Sequence, residues 1–157
     1  MNRPVDKLLD AIGGPDRKSI HFVDLENLVG AGFYTSEQVA KVCESYVSGT
    51  ASNAKDLFFI SSGTQNKEAT YTGWSWGNVF FQFRKGQNGA DQALVNFFES
   101  IQTPEVYQSV YVASGDHSLE AIAEGARKSG LSVTIVTGKG GTSRALRAYP
   151  QLQLRGL

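Results

Sequence analysis

Five short apolar runs recur along the chain: SIHFVD (19–24), DLFFIS (56–61), VFFQFR (79–84), SVYVAS (109–114) and LSVTIV (131–136). They are rich in Val, Ile, Phe and Tyr and are bounded by Gly, Ser or Asn, as strands buried on both faces are. Helical spacing fills the gaps between them. Val39, Val42, Cys43 and Tyr46 fall at i, i+3, i+4 and i+7, behind Thr35 and Gln38 at the spacing of a capping box. Leu94, Phe97, Phe98 and Ile101 repeat that spacing. So do Leu119, Ile122, Ala123 and Ala126, with Gly130 placed to end the helix. The segment GTQNKEATYTGWSWGN (63–78) follows neither period and reads as a loop with room for a short helical piece, and residues 25–32 show no clear helix.

Strands that alternate with helices predict parallel pairing, with helices covering both faces of the sheet. The expected fold is one three-layer, Rossmann-like α/β domain over 18–157, with a central parallel sheet of about five strands. Residues 1–17 are expected to form an arm or short helix; charges interrupt their apolar positions, so they do not read as a signal peptide. No run approaches the length of a membrane span, so the expectation is a cytoplasmic protein with no membrane partner.

Composition narrows the chemistry. A chain of 157 residues can bury roughly 68–70% of its unfolded surface and needs no staple to fold. The single cysteine, Cys43, excludes a disulfide framework and a thiolate zinc site, and its apolar neighbours suggest a core thiol. The two histidines, His21 and His117, do not cluster. Formal net charge is zero, yet residues 1–124 carry nine Lys/Arg and all fifteen Asp/Glu, a balance of −6. Residues 125–157 carry six Lys/Arg and no acid, which suggests a basic surface beside an acidic site.

Three acids are placed where such a fold binds ligands, beyond the carboxyl ends of its strands. Asp24 ends the first run, Asp116 follows the fourth in VYVASGDHS, and Asp91 opens the helix after the third in NGADQAL. Helix capping accounts for Asp91 and Asp116 taken singly. Asp24 is harder to explain that way, since no helix is evident after it. Two carboxylates about 4 Å apart repel by about 4 kcal/mol at an effective dielectric near 20. A bound cation or a raised pKa must relieve the clash. Ligands that are all oxygen select Mg²⁺ or Mn²⁺.

Three motifs together resemble the NYN-type nuclease domains of the PIN-like superfamily: VDLENL on the first strand, GADQAL before the third helix, and VYVASGDHSLEAIAEGARKSGLSVTIV for the fourth and fifth strands. The resemblance covers roughly residues 18–150. It implies a parallel sheet with the first and fourth strands adjacent, and it implies that Asp24, Asp91 and Asp116 are metal-site aspartates. Asn27 would match the amide that orients an acid, water or phosphate, with Glu26 an outer acid. Ser114 and Gly115 would form the turn presenting Asp116. Family members often read Ser-Gly-Asp-x-Asp; here Ser118 stands at the second Asp, and Glu120 is the acid that could replace it.

The expected activity is that of a metal-dependent (endo)ribonuclease acting on single-stranded RNA, with catalytic Asp24, Asn27, Asp91 and Asp116. Mg²⁺ or Mn²⁺ would be held by Asp24, Asp91 and Asp116, with Glu26, Ser118 and Glu120 as further candidates. Because the site is acidic, RNA must be gripped elsewhere: candidates are Arg84, Lys85, Lys139, Ser143, Arg144 and Arg147, with Ser143 starting a short helix whose amides face phosphate. Trp74 and Trp76, with Tyr71, are candidates to stack on bases. Two alternatives remain open: a nucleic-acid-binding module with a weak or inactive site, which Ser118 favours, and a phosphohydrolase of small nucleotides. A homodimer or a regulatory protein partner is compatible with either.

Overall fold

Lys18–Asp24 form β1, the centre of the sheet. Ile20 and Phe22 face one layer while His21 and Val23 face the other, and all four are buried. This two-sided burial explains the unbroken apolar run. The structure, a computed structural model, describes residues 18–84, 107–114, 119–138 and 144–154. The expected helix around 94–101 lies outside them.

From β1 the chain passes through α1 (Leu25–Val29) and α2 (Ser36–Thr50) to β2 (Leu57–Gly63). A short 3₁₀ turn (Thr64–Asn66) and α3 (Lys67–Gly73) then lead to β3 (Asn78–Arg84). The rest comprises β4 (Tyr107–Ala113), α4 (Glu120–Lys128), β5 (Ser132–Thr137), a second 3₁₀ turn (Leu146–Ala148) and β6 (Gln151–Gln153). All pairings are parallel, and the strand order is β3-β2-β1-β4-β5-β6. The fold is therefore α/β with a six-stranded parallel sheet flanked by helices, in the doubly wound order of a Rossmann-like three-layer domain. The first and fourth strands are neighbours, with Val23 paired to Ala113.

Each layer has its own apolar core. On one face Val23, Phe58, Ile60 and Ala113 pack against Leu28, Val39, Val42, Tyr46 and Trp74. On the other, Ile20, Phe22, Phe59, Val110 and Val112 pack against Leu119, Ile122, Ala123 and Ala126. The capping box of α2 forms as expected: Thr35 Oγ1 accepts from the Gln38 amide at 3.2 Å, and Gln38 Oε1 accepts from the Thr35 amide at 2.8 Å. Gly130 takes φ 85° after α4. Its amide donates to Arg127 O, and Leu131 N donates to Ala126 O, closing the helix as a Schellman motif.

Three expectations are corrected. The sheet has a sixth strand, Gln151–Gln153, too short and too polar to announce itself. Residues 64–73, read as a loop with room for a short helical piece, are helical along their length: a 3₁₀ turn and then α3. They lack an apolar stripe because α3 meets α2 through small side chains. A Cβ at Gly73 would lie 2.5 Å from Val39 Cβ and 2.6 Å from Ser36 O, so only hydrogen fits there. Residues 25–29 also form a helix, with consequences for Asp24.

Candidate functional site

The chain winds from β1 outward to β3, then returns to β4 on the other side of β1. The strand order thus reverses between β1 and β4, and the crevice beyond their carboxyl ends is where open α/β sheets bind ligands. Asp24 and Ser114 stand at the two sides of this crevice.

Asp24 ends β1 and is the N-cap of α1: its Oδ1 accepts from the Asn27 amide at 3.3 Å. Its Oδ2 accepts from Ser114 Oγ at 3.4 Å, and Ser114 is fully buried. Asp24 therefore does cap a helix, although capping is the harder explanation for it from sequence because no helix is evident after it there. A cap and a ligand-binding acid call for the same residue type at the same place, since both use a carboxylate against free amides.

Its neighbours lash α1 to β2. Glu26 Oε1 accepts from the Gly63 amide at 2.8 Å. A Cβ at Gly63 would come within 2.5 Å of that oxygen, so a side chain there would push the Glu26 carboxylate aside. The Tyr34 hydroxyl and Ser62 Oγ share a hydrogen bond. Burial pushes the Tyr34 phenol up to about 12; bonds to Ser62 and Thr70 oppose the shift, and the Glu26 and Asp24 charges add to it. The Tyr34 amide donates to Asn66 Oδ1 at 3.2 Å, and Asn66 Nδ2 donates to Gly32 O at 2.9 Å, tying the loop after α1 to the turn after β2. Tyr34, Ser62 and Asn66 were not foreseen; one signal for them was a buried-strand sequence that ends in two serines.

One atom in this cluster is unsatisfied. Asn27 Oδ1 is buried and accepts no hydrogen bond among the described residues. An uncompensated buried acceptor costs about 1–3 kcal/mol, so its retention calls for a donor or cation.

The other expected site residues divide by position. Lys85, Asp91, Asp116, Ser118, Lys139 and Ser143 lie outside the described residues. Glu120 begins α4, part-buried, on the β4 side of the crevice. Arg84 ends β3 at the carboxyl edge, two strands from β1. Arg144 and Arg147 are exposed. Trp74 is 2% exposed, packed on Tyr46 and Phe58, with its Nε1 donating to Trp76 O at 3.1 Å. Trp74 is thus a core residue, which corrects its candidacy for base stacking. Trp76 packs against the same core and is part-buried. Among the described residues no three His, Cys, Asp or Glu side chains converge as a metal cluster.

His21, three residues before Asp24, has a separate role. Its ring is fully buried between Phe58 (4.3 Å, 5°) and Tyr111 (4.8 Å, 12°). Nε2 meets Asp56 Oδ2 at 2.9 Å and Nδ1 meets the Tyr46 hydroxyl at 2.7 Å. A carboxylate only accepts, so Nε2 carries the proton and Nδ1 accepts from Tyr46. Burial lowers the His21 pKa, and the hydrogen bond and charge of Asp56 offset part of the effect. Cys43 is the buried thiol expected, with its pKa raised mainly by burial.

No family model, no curated protein and no solved structure matches the chain. Fold and site together define the class: an α/β protein with a Rossmann-like parallel sheet whose switch point carries the Asp24 and Glu26 carboxylates. Among the described residues no helix is long and apolar enough to cross a membrane.

Proposed function

We propose that the protein is a metal-dependent ribonuclease of the NYN, PIN-like type, acting on single-stranded RNA at the crevice between β1 and β4. The observation that carries this is the buried Asn27 Oδ1, without a hydrogen-bond partner among the described residues, one helical turn from the Asp24 carboxylate. Asp24, Glu26 and Asn27 offer only oxygen, which fits a hard divalent cation such as Mg²⁺ or Mn²⁺. Asp91, Asp116 and Glu120, with Ser118, are the residues that would complete the donor set. Such an ion, when bound, supplies charge neutralisation at phosphate and a water of lowered pKa.

The chain's own residues have definable parts. Ser114 and the Asn27 amide hold the Asp24 carboxylate at the crevice. The Gly63 amide ties the Glu26 carboxylate, and with it α1, to the end of β2. Tyr34 stays protonated at neutral pH and adds no third negative charge beside the two acids. Arg144 and Arg147, exposed after β5, are suited to backbone phosphates.

A second reading, a nucleic-acid-binding module without turnover, is favoured by one observation: both oxygens of Asp24 and one of Glu26 already accept protein hydrogen bonds. Cleavage of end-labelled single-stranded RNA in Mn²⁺ separates the two. The nuclease reading expects Asp24→Asn, which keeps a competent cap, and Asp116→Asn each to cut at least ~100-fold more slowly than wild type. Equal cutting by all three proteins, or cutting indifferent to chelator, would refute it.

A further inference from the structure

With Trp74 in the core, exposed aromatic surface among the described residues lies elsewhere: at Phe33, and in a cluster along the outer edge of the sheet. Tyr71 of α3 meets Phe81 edge-on, with centroids 4.9 Å apart and planes at 67°. It lies 5.0 Å from Phe83. Phe81 and Phe83 sit on the same face of β3, 6.1 Å apart and nearly parallel at 12°. Lys67, one turn before Tyr71, holds its Nζ 5.8 Å from the Phe83 ring centroid. Tyr71 is 53% exposed, and Phe81 and Phe83 are half-buried.

The position of the cluster matters as much as its composition. Phe83 pairs in register with Ser62, which binds Tyr34, and Arg84 pairs with Gly63, which binds Glu26. The cluster therefore lies at the carboxyl edge, the edge that carries Asp24. Strands are about 4.8 Å apart, so β3 lies about 10 Å from β1. The acidic crevice repels a polyanion, so substrate must be held beside it. Aromatic faces accept any unpaired base, and a lysine at the ring answers the phosphate charge.

We propose that Tyr71, Phe83 and Lys67 form a stacking platform for single-stranded RNA, gripping bases about two strands from the Asp24 crevice. The proposal rests on the ribonuclease reading and names where that enzyme holds its substrate. On the opposite face of β3, Phe80 is 52% exposed and pairs with Phe59, so it serves as an internal control.

The test is fluorescence anisotropy of a labelled 12-nucleotide oligouridylate in chelator, where neither metal nor turnover contributes. Wild type is compared with Tyr71→Ser, Tyr71→Phe, Lys67→Glu and Phe80→Ser, with melting temperature recorded for each. Tyr71→Ser and Lys67→Glu are expected to bind at least about 5-fold more weakly, and Tyr71→Phe and Phe80→Ser as wild type. Lys67 is exposed, so its variant carries the test if Tyr71→Ser fails to fold. Wild-type binding by Tyr71→Ser or Lys67→Glu would overturn the platform. So would absence of RNA binding by wild type, or a change confined to self-association in sedimentation. Mn²⁺-dependent cleavage is read separately: if it persists while the platform variants bind normally, only the platform fails. If binding follows the platform but no protein cuts RNA, only the catalytic reading fails.

Discussion

Removing the Asp56 side chain tests how the sheet tolerates a histidine in its centre. Asp56 is 3% exposed and accepts three hydrogen bonds: from Ser19 N at 3.0 Å, Asn53 N at 3.1 Å and His21 Nε2 at 2.9 Å. Asp56→Ala leaves all three donors without a partner. A buried donor left unpaired costs about 1–3 kcal/mol. The two backbone amides are only part-buried and fall at the low end, so the total is about 3–5 kcal/mol. That is a large share of the ~5–15 kcal/mol that holds a domain folded. For a chain of this size it lowers Tm by roughly 6–20 °C. Asp56→Asn should cost less. Its amide can donate to Nε2 if His21 moves its proton to Nδ1 and the Tyr46 hydroxyl becomes the acceptor, leaving only the Asn53 amide poorly served. Urea unfolding at neutral pH, with unchanged slope, measures both variants. A loss under about 1 kcal/mol for Asp56→Ala, or equal losses for the two, would show that the Tyr46–His21–Asp56 chain is not what satisfies the core.

The same histidine sets a pH dependence. Burial lowers its folded pKa below 6.5, so the unfolded chain binds the proton first, and stability present above pH 6.5 is lost as pH falls below it. NMR of the ring nitrogens should show His21 still neutral below pH 6.5, and a ring that protonates at or above that value would contradict the burial argument. Gly73→Ala should destabilise by about 1–3 kcal/mol, because its methyl would stand 2.5 Å from Val39 Cβ. A melting temperature equal to wild type would show that α2 and α3 are free to separate.

The sequence was informative where burial is uniform and signals are local. Five strands were legible because parallel strands covered on both faces carry continuous apolar runs, and α2 because Thr35 and Gln38 satisfy each other's amides. β6 was not, because three residues at a sheet edge need no apolar pattern. α3 was hidden because its contacts are small: Thr70 and Gly73 are its buried residues, and neither marks a stripe. The His21–Asp56 pair was hidden because parallel register brings together residues 35 positions apart. At the crevice the difficulty was of another kind. Asp24 is legible as the acid that ends β1, but its cap on α1 is not, because a five-residue helix has too few turns to show a period. Tyr71 stands beside Trp74 and Trp76 in the sequence, yet only the fold separates the exposed ring from the packed ones.

On the proposed reading, a divalent cation would be held between β1 and β4 through Asp24, with the Asn27 oxygen, which accepts no hydrogen bond among the described residues, turned toward it or its water. Calorimetric titration of Mn²⁺ into wild type, Asp24→Asn and Asn27→Ala tests this most directly. Saturable uptake by wild type, abolished in Asp24→Asn and weakened about 10–100-fold in Asn27→Ala, is the predicted result. No uptake by wild type, or uptake that Asp24→Asn leaves unchanged, would contradict it.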